Sequence, residues 1–192
     1  MSQASPHEIE TVLRTYFRAK DENRPHLLRS VFTPAATLQV NNKASTIAFP
    51  PVAHGLDTIA DVLVRQFGQT YENVYSFCMS RPRTASAHFS CDWLVGMSEK
   101  EGKNVRVGCG RYDWQFRTQY PHLADGLVIT IEAMGVLSPD HLDSVLGWLT
   151  LLSYPWCATQ EFLDTAPEIA DLDPILRYVG RDRQGIPPRR AG

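Results

Sequence analysis

The sequence predicts an α+β fold in which helices pack on one face of a curved antiparallel sheet. Apolar residues recur at helical spacing in the first third of the chain, with a period of two through the middle, and at helical spacing again near the C-terminus. The chain has 192 residues, 43% of them hydrophobic and 21% charged, as expected for one globular domain. We predict that residues 1–137 form this domain, that residues 138–179 extend it with helices, and that residues 180–192 are a disordered tail.

The first element is a helix that begins at Ser5. Ser5 and Glu8 form a capping box, and Pro6 occupies the first helical position, where it loses no hydrogen bond. The apolar side chains that follow share one stripe of the helix: Ile9, Val12, Leu13, Tyr16 and Phe17. We therefore expect this stripe to face the core, and the polar residues 21–23 to end the helix.

A second short helix, one strand and a third helix come next. Pro34 stops the second helix before an extended segment at residues 36–40. Residues 41–54 have no usable period and contain two successive prolines, so we predict a loop that borders a cavity. The third helix follows Gly55. Its core face carries Ile59, Leu63 and Phe67.

The period of two predicts four long strands. They span residues 72–81, 85–97, 105–117 and 127–137. Alternation is cleanest in the second of them, where Trp93 lies on the apolar face and His88 and Asp92 lie on the opposite face. A charged turn joins this strand to the next, which indicates a hairpin.

Two helices are predicted after the sheet. Ser138 and Pro139 repeat the N-terminal helix signal and open the first. The second begins either at a capping box over residues 165–168 or after Asp173.

Composition and charge exclude several classes of partner. The net charge of −2 disfavours nucleic acid and anionic membranes, and no apolar stretch approaches the ~20 residues that cross a bilayer. The polar N-terminus is unlike a signal peptide, and four widely spaced cysteines fit reduced thiols in the cytoplasm. Neither the cysteines nor the histidines have the spacing of a metal site, and no phosphate-binding or dinucleotide motif occurs, so we expect no metal and no cofactor.

Three segments carry a resemblance to a known family. They read VLRTYFRAKD at residues 12–21, HGLDTI at residues 54–59 and GRYDWQF at residues 110–116. Together with the order of elements over residues 6–137, they resemble the nuclear transport factor 2-like superfamily with its SnoaL-like domains. The resemblance implies a cystatin-like cone, in which a bent sheet and helices enclose a deep apolar pocket. It allows both enzymes, such as ketosteroid isomerase, scytalone dehydratase and polyketide cyclases, and non-catalytic binding proteins.

The resemblance also implies catalytic positions. Tyr16 falls at the tyrosine with which ketosteroid isomerase donates a hydrogen bond to the developing enolate oxygen. Tyr112 falls at that enzyme's neutral carboxylic acid, although a slip of one residue would place Asp113 there. Asp21 coincides with the aspartate after the first helix of scytalone dehydratase and could act as a base. Val40 replaces the isomerase's own base, which argues against steroid isomerisation by that route.

Five further residues are predicted to contact a ligand: Val40, His88, Trp93, Trp114 and Phe116. The dehydratase uses two histidines, for which His88 and His54 are candidates without a matching motif. Each candidate also has a structural interpretation. Tyr16 and the aromatic residues can be core, Asp21 can end or cap a helix, and His88 can lie on an exposed sheet face.

These observations predict a pocket for a small, largely apolar organic molecule. The leading hypothesis is a cofactor-independent lyase or isomerase acting next to a carbonyl, with Asp21 as proton acceptor and Tyr16 or Tyr112 as donors to the oxyanion. The alternative is a non-catalytic ligand-binding or assembly module. The family, together with the apolar helix at residues 142–152 and its Trp148, also predicts a homodimer.

Overall fold

The computed structural model describes residues 6–83 and 86–181 of the protein. The N-terminal helical elements are α1 (Pro6–Asp21), a 3-10 turn (Pro25–Ser30), α2 (Leu56–Ala60), a π turn (Asp61–Arg65) and α3 (Phe67–Thr70). The C-terminal elements are a 3-10 turn (Pro139–His141), α4 (Leu142–Leu151), α5 (Thr159–Thr165), a second 3-10 turn (Ala170–Leu172) and α6 (Asp173–Gly180). Ser5 and most of the predicted tail, residues 182–192, lie outside the described residues.

The strands form one curved six-stranded sheet. They are β1 (Phe32–Asn42), β2 (Val52–His54), β3 (Tyr71–Cys78), β4 (His88–Glu99), β5 (Val105–Phe116) and β6 (Ala124–Leu137). Their order across the sheet is β2-β1-β6-β5-β4-β3. All neighbours are antiparallel except β1 and β6, which run parallel. The predicted α+β class is therefore confirmed, with one parallel pair in the sheet.

The two faces of the sheet carry separate cores. The concave core joins α1, the 3-10 turn after it and α2 to inward side chains such as Trp93 of β4. The convex core joins α4, α5 and α6 to the outward side chains, such as Leu94. Asp92 also lies on the convex side, where its carboxylate accepts hydrogen bonds from Arg181 at 2.7 and 3.0 Å. The predicted alternation of β4 is confirmed, and residues 138–179 cover the convex face.

Three boundaries near the sheet differ from the sequence prediction. Pro34 lies inside β1 rather than before it. The pairing of β1 with β6 shifts register between Phe32 and Thr37, so the missing N–H of Pro34 removes no hydrogen bond between the two strands. Residues 52–54 form strand β2, which pairs with β1, although the sequence predicts a loop there. Three residues are too few to show a period of two in the sequence. The strand predicted to reach residue 81 ends at Cys78.

The C-terminal extension settles one alternative and adds one helix. Residues 165–168 do not begin a helix, and the last helix begins at Asp173. Helix α5 was not predicted, because its seven residues are too few to show helical periodicity. It packs on the outer side of α4, where the Trp148 ring lies 5.0 Å from Phe162 and its indole N–H donates to Thr165 at 3.0 Å. The surface expected to meet a second subunit through Trp148 is thus covered within the chain, and the homodimer stays a prediction.

Candidate functional site

An apolar cavity lies between the concave face of the sheet and the helices. The centre of a water molecule can occupy about 40 Å³ of it, which is space on the order of three waters. The lining side chains come from α1, β1, the loop after β1, the π turn, α3 and the strands β4, β5 and β6: Lys20, Val40, Ile47, Phe49, Leu63, Phe67, Trp93, Val95, Met97, Tyr112, Ile129, Ile131 and Met134. Of these residues, Lys20 is the one with a formal charge.

The loop over residues 43–51 closes the cavity on one side. Its Phe49 ring stacks on Phe67 of α3 at 6.4 Å with an interplanar angle of 19°. The loop is held by Thr46, whose hydroxyl donates to the Met134 carbonyl at 2.7 Å and whose carbonyl accepts from Arg106 at 2.6 Å. Phe49 and Phe67 also line an open depression on the outer side of the loop. These two rings therefore separate the cavity from solvent.

The amine of Lys20 lies in the otherwise apolar wall of the cavity. Its side chain is 8% exposed, its Nζ donates to the Ser76 hydroxyl at 2.9 Å, and it lies 4.8 Å from the centre of the Phe67 ring. Burial lowers the pKa of Lys20, and the nearby carboxylate of Asp21 opposes that shift. An ammonium has three N–H donors, and Ser76 satisfies one of them. Lys20 can therefore bind an oxygen atom of a ligand.

Asp21 lies on the other side of Ser76 from the cavity. Its carboxylate accepts the Ser76 N–H at 2.8 Å, the Ser76 hydroxyl at 2.7 Å and the Tyr154 hydroxyl at 2.9 Å, and lies 4.0 Å from the Lys20 Nζ. Burial raises the pKa of Asp21, against the opposing effect of Lys20 and these hydrogen bonds. Asp21 and Tyr154 line a surface groove, and Asp21 is not among the residues lining the cavity. Its link to the cavity runs through Ser76 to Lys20.

The two predicted tyrosines occupy different layers. Tyr112 lines the cavity, stacked at 5.5 Å on Trp93. Tyr16 lies behind it, fully buried, with its ring 5.9 Å away and nearly perpendicular. Its hydroxyl makes no hydrogen bond of normal length among the described residues, but it interacts with the Tyr112 hydroxyl. Burial raises the pKa of both tyrosines, so both remain protonated donors at neutral pH. Tyr112 is the donor that the structure sets at the cavity.

A glycine in β5 makes room for the aromatic wall. A Cβ at Gly110 would lie 1.9 Å from the Thr130 carbonyl oxygen and 2.8 Å from the Trp93 ring. The register of β5 also determines which side chain faces inward. Tyr112 points to the concave face, and Asp113 points to the other face, where it accepts hydrogen bonds from Ser90 and Arg111. The alternative with Asp113 at the site does not occur.

The predicted ligand contacts divide into three groups. Val40 and Trp93 line the cavity. Trp114 and Phe116 stack on each other at 5.6 Å in the core and do not line it. His88 is exposed at the start of β4. His54, in β2, is also exposed, and its Nδ1 lies 3.4 Å from the hydroxyl of Thr37 in β1. Neither histidine reaches the cavity.

Sequence reasoning missed Lys20, Ser76 and the loop residue Phe49. Lys20 follows Tyr16 by four residues and so continues the apolar stripe of α1, a position where a lysine is buried. That spacing was the available signal. Phe49 lies in a loop without a period, and its place over the cavity follows from tertiary contacts alone.

Within residues 6–83 and 86–181, no group of three metal-binding side chains comes together, and no helix is long and apolar enough to cross a membrane. Residues 3–131 match the family model of the SnoaL-like domain, so the chain belongs to that family. A comparison with curated proteins finds no match.

Solved structures with the same fold have low sequence identity to this chain. One is hexachlorocyclohexane dehydrochlorinase LinA-type3 from Novosphingobium barchaimii LL02, with a TM-score of 0.53 and 12% identity over 68% of this chain and 88% of that one. Another is an NTF2-like superfamily protein from Salmonella enterica serovar Typhimurium, with a TM-score of 0.52 and 15% identity over 65% and 88%. A ketosteroid isomerase-like protein from Erwinia carotovora atroseptica has a TM-score of 0.50 and 13% identity over 66% and 95%. These similarities establish the NTF2-like cone, and the reaction has to be argued from the residues of the site.

Proposed function

We propose that this protein binds a small, largely apolar organic molecule in the cavity and acts on it as a cofactor-independent lyase or isomerase, by moving a proton next to a carbonyl group. The observation that carries the proposal is the pairing of an apolar cavity with the buried amine of Lys20 and the phenol of Tyr112 in its wall. Apolar walls bind the carbon skeleton, and a few fixed polar groups orient it.

The polar groups have distinct roles in this proposal. Tyr112 donates a hydrogen bond to the ligand's oxygen as negative charge develops there, in a site that excludes water and so strengthens the interaction. Asp21 provides the proton-accepting carboxylate at the end of a hydrogen-bonded path: the Lys20 ammonium passes one proton through the Ser76 hydroxyl to Asp21, and the resulting neutral amine takes the proton of the ligand. Tyr16 supports the Tyr112 ring from behind.

The names of similar proteins support this class of reaction. A dehydrochlorinase and a ketosteroid isomerase-like protein share the fold, so elimination and isomerisation are both represented among its relatives. A specific observation favours the alternative, a non-catalytic binding module. The Asp21 carboxylate already accepts three hydrogen bonds from Ser76 and Tyr154, as a purely structural carboxylate would.

Deuterium exchange separates the two functions without knowledge of the natural substrate. Small ketones such as butanone are incubated with the protein in deuterated buffer, and exchange next to the carbonyl is followed by NMR. We expect the wild type to accelerate exchange and Tyr112→Phe to lower the rate by about a hundredfold, the usual effect of losing one oxyanion donor. Tyr120→Phe is the matched control, because Tyr120 is 81% exposed.

Asp21→Asn is expected to abolish the exchange while leaving ketone binding nearly intact, which a shift of the thermal unfolding temperature reports. Binding without exchange for every ketone tested would establish the non-catalytic module. A protein that neither binds nor exchanges any of them would contradict the proposal in both forms.

A further inference from the structure

Lys20 has a chemical capacity that its place beside the cavity makes usable. The chain has four lysines, and the other three, Lys43, Lys100 and Lys103, are exposed. Lys20 is buried at 8% exposure in a wall that is otherwise formed by uncharged side chains. An amine that is desolvated in an apolar pocket is the form of lysine that acts as a nucleophile on carbonyl carbon.

The hydrogen bonds around Lys20 provide a place for its proton. The Lys20 Nζ donates to the Ser76 hydroxyl, and the Ser76 hydroxyl donates to the Asp21 carboxylate. A buried ion pair in apolar surroundings is costly, and moving one proton along this path converts it to a neutral amine and a neutral carboxylic acid. The shifts of the two pKa values agree with this direction, since burial lowers that of Lys20 and raises that of Asp21.

We propose that Lys20 is the nucleophile of the cavity and that it condenses with a small aldehyde or ketone to form an imine. This inference rests on the proposed function and narrows its substrate class to carbonyl compounds that react with an amine. It also explains how a proton next to the carbonyl carbon becomes acidic, because a protonated imine withdraws electrons more strongly than the parent carbonyl. In this route Tyr112 donates to the oxygen while the amine attacks, when negative charge develops there, and before that oxygen leaves as water.

The steps balance within the residues named. The ammonium of Lys20 gives one proton through Ser76 to Asp21, and the neutral amine forms a C–N bond to the carbonyl carbon. A proton moves from nitrogen to the former carbonyl oxygen, giving a carbinolamine. Asp21 returns its proton through Ser76 to that hydroxyl, the C–O bond breaks, and one water leaves. The products are a protonated imine on Lys20 and the Asp21 carboxylate.

The size of the cavity limits the carbonyl compound. Space on the order of three water molecules admits a short aliphatic aldehyde with the loop closed, and a larger compound needs the Phe49 and Phe67 rings to part. Propanal is therefore a suitable probe. Propanol, which has no carbonyl, is its matched non-reactive control.

The test is reductive trapping at neutral pH. The protein is incubated with propanal and sodium cyanoborohydride, and the propyl group on each lysine is quantified over time by peptide mass spectrometry. A fall in the pKa of an amine raises its neutral fraction at pH 7, and Lys20 lies beside the cavity that holds the aldehyde, so we expect Lys20 to be labelled several-fold faster than Lys43. A buried lysine with only a structural role gives the opposite order, because the reagent reaches exposed Lys43 first. Equal or slower labelling of Lys20 overturns the proposal.

Two variants test the proton path. Ser76→Ala is expected to slow the labelling of Lys20 several-fold while the rate at Lys43 stays constant, and Ser90→Ala, a serine on the opposite side of the sheet, is the matched control. An unchanged Lys20 rate in Ser76→Ala overturns the role of Ser76 and Asp21 in the condensation.

If ketone exchange occurs in the wild type and no Lys20 adduct forms, the imine is wrong while the lyase or isomerase function stands. If neither propanal nor propanol shifts the unfolding temperature and no exchange occurs, the cavity itself is not a binding site.

Discussion

The two faces of the sheet are built differently, although the same strands supply both. Two buried indole nitrogens, those of Trp93 and Trp114, lack hydrogen-bond partners among the described residues, and both belong to the concave core. The convex core has no such unpaired indole among the described residues, since Trp148 donates to Thr165, and in the concave core Trp156 is paired with Glu10. Unpaired buried donors cost stability, and a fold retains them most often at functional sites. We therefore place the proposed ligand site on the concave side and expect the convex side to contribute mainly to stability.

The largest expected effect is a difference between truncations on the two faces. Phe162→Ala removes a fully buried ring from the convex core and should lower the free energy of unfolding by about 3–5 kcal/mol. Met134→Ala, at the cavity wall, should cost about 2 kcal/mol, at the low end for such changes, because the lost side chain already borders open space. Urea denaturation measures both. Equal losses would contradict the division of roles between the faces.

The next effect concerns the buried pair on the concave side. Asp21→Asn leaves the ammonium of Lys20 buried without its counter-charge, and we expect a loss of about 3 kcal/mol near pH 7. The pKa of Lys20 is lowered in the folded state, so between that pKa and 10.5 the unfolded chain binds more protons and stability rises with pH. The Asp21 charge opposes the lowering of the Lys20 pKa, so Asp21→Asn lowers that pKa further and the variant gains more stability than the wild type as the pH rises. The cost of Asp21→Asn should therefore be smaller at about pH 9 than at about pH 7.

Denaturation curves at both pH values check this sign. Asp61→Asn is the control, because the Asp61 carboxylate pairs with Arg65 on the surface, where an ion pair contributes little. A loss for Asp21→Asn that is constant with pH would mean that Lys20 stays charged throughout this range, against the proton path proposed for it.

The same two faces show how far sequence reasoning extends. The period of two in β4 places Trp93 inward and Asp92 outward, because successive side chains of a strand must point to opposite faces. It also places Tyr112 at the cavity once its strand is in register. Local periodicity therefore predicts the α+β class and the side chains that share the inward face, whereas the cone and the place of Tyr112 in the pocket are predicted by the family resemblance.

Periodicity fails where the position of a side chain depends on distant parts of the chain. The spacing from Tyr16 places Lys20 on the buried stripe of α1, but it does not identify the partners there, because β3 and α3 supply Ser76 and Phe67 from distant parts of the chain. The loop that carries Phe49 is held by Arg106, about sixty residues away. No local pattern reports such contacts.

A smaller effect is expected where the C-terminal extension meets the concave side. The Tyr154 hydroxyl donates to the Asp21 carboxylate at 2.9 Å, so Tyr154→Phe removes one of three hydrogen bonds from that carboxylate. We expect a loss of about 1 kcal/mol in the free energy of unfolding, the net value of one hydrogen bond. Tyr120→Phe, in an exposed loop, should change nothing measurable. A neutral Tyr154→Phe would show that this hydrogen bond adds nothing to stability.

The smallest effect on global stability is expected at the loop that closes the cavity. Arg106 joins Glu99, at 2.7 Å, to the Thr46 carbonyl of this loop. Arg106→Gln should change the free energy of unfolding by less than about 1 kcal/mol, yet hydrogen exchange of residues 43–51 should become faster because the loop loses an anchor. Arg111→Gln is the matched control, since Arg111 pairs with Asp113 on the exposed side of the same strand.

Acid should reproduce the loosening of this loop in the wild type. Burial acts to raise the pKa of Glu99, but hydrogen bonds from Arg106 and Asn104 outweigh it and hold that pKa below its usual 4.5. The contribution of Glu99 is thus present above 4.5 and is lost as the pH falls through its lowered value. Exchange of residues 43–51 should rise in that range in the wild type and not in Arg106→Gln, where the anchor is already gone. An equal acid response in both would mean that acid acts on the loop through a group other than the Arg106–Glu99 pair.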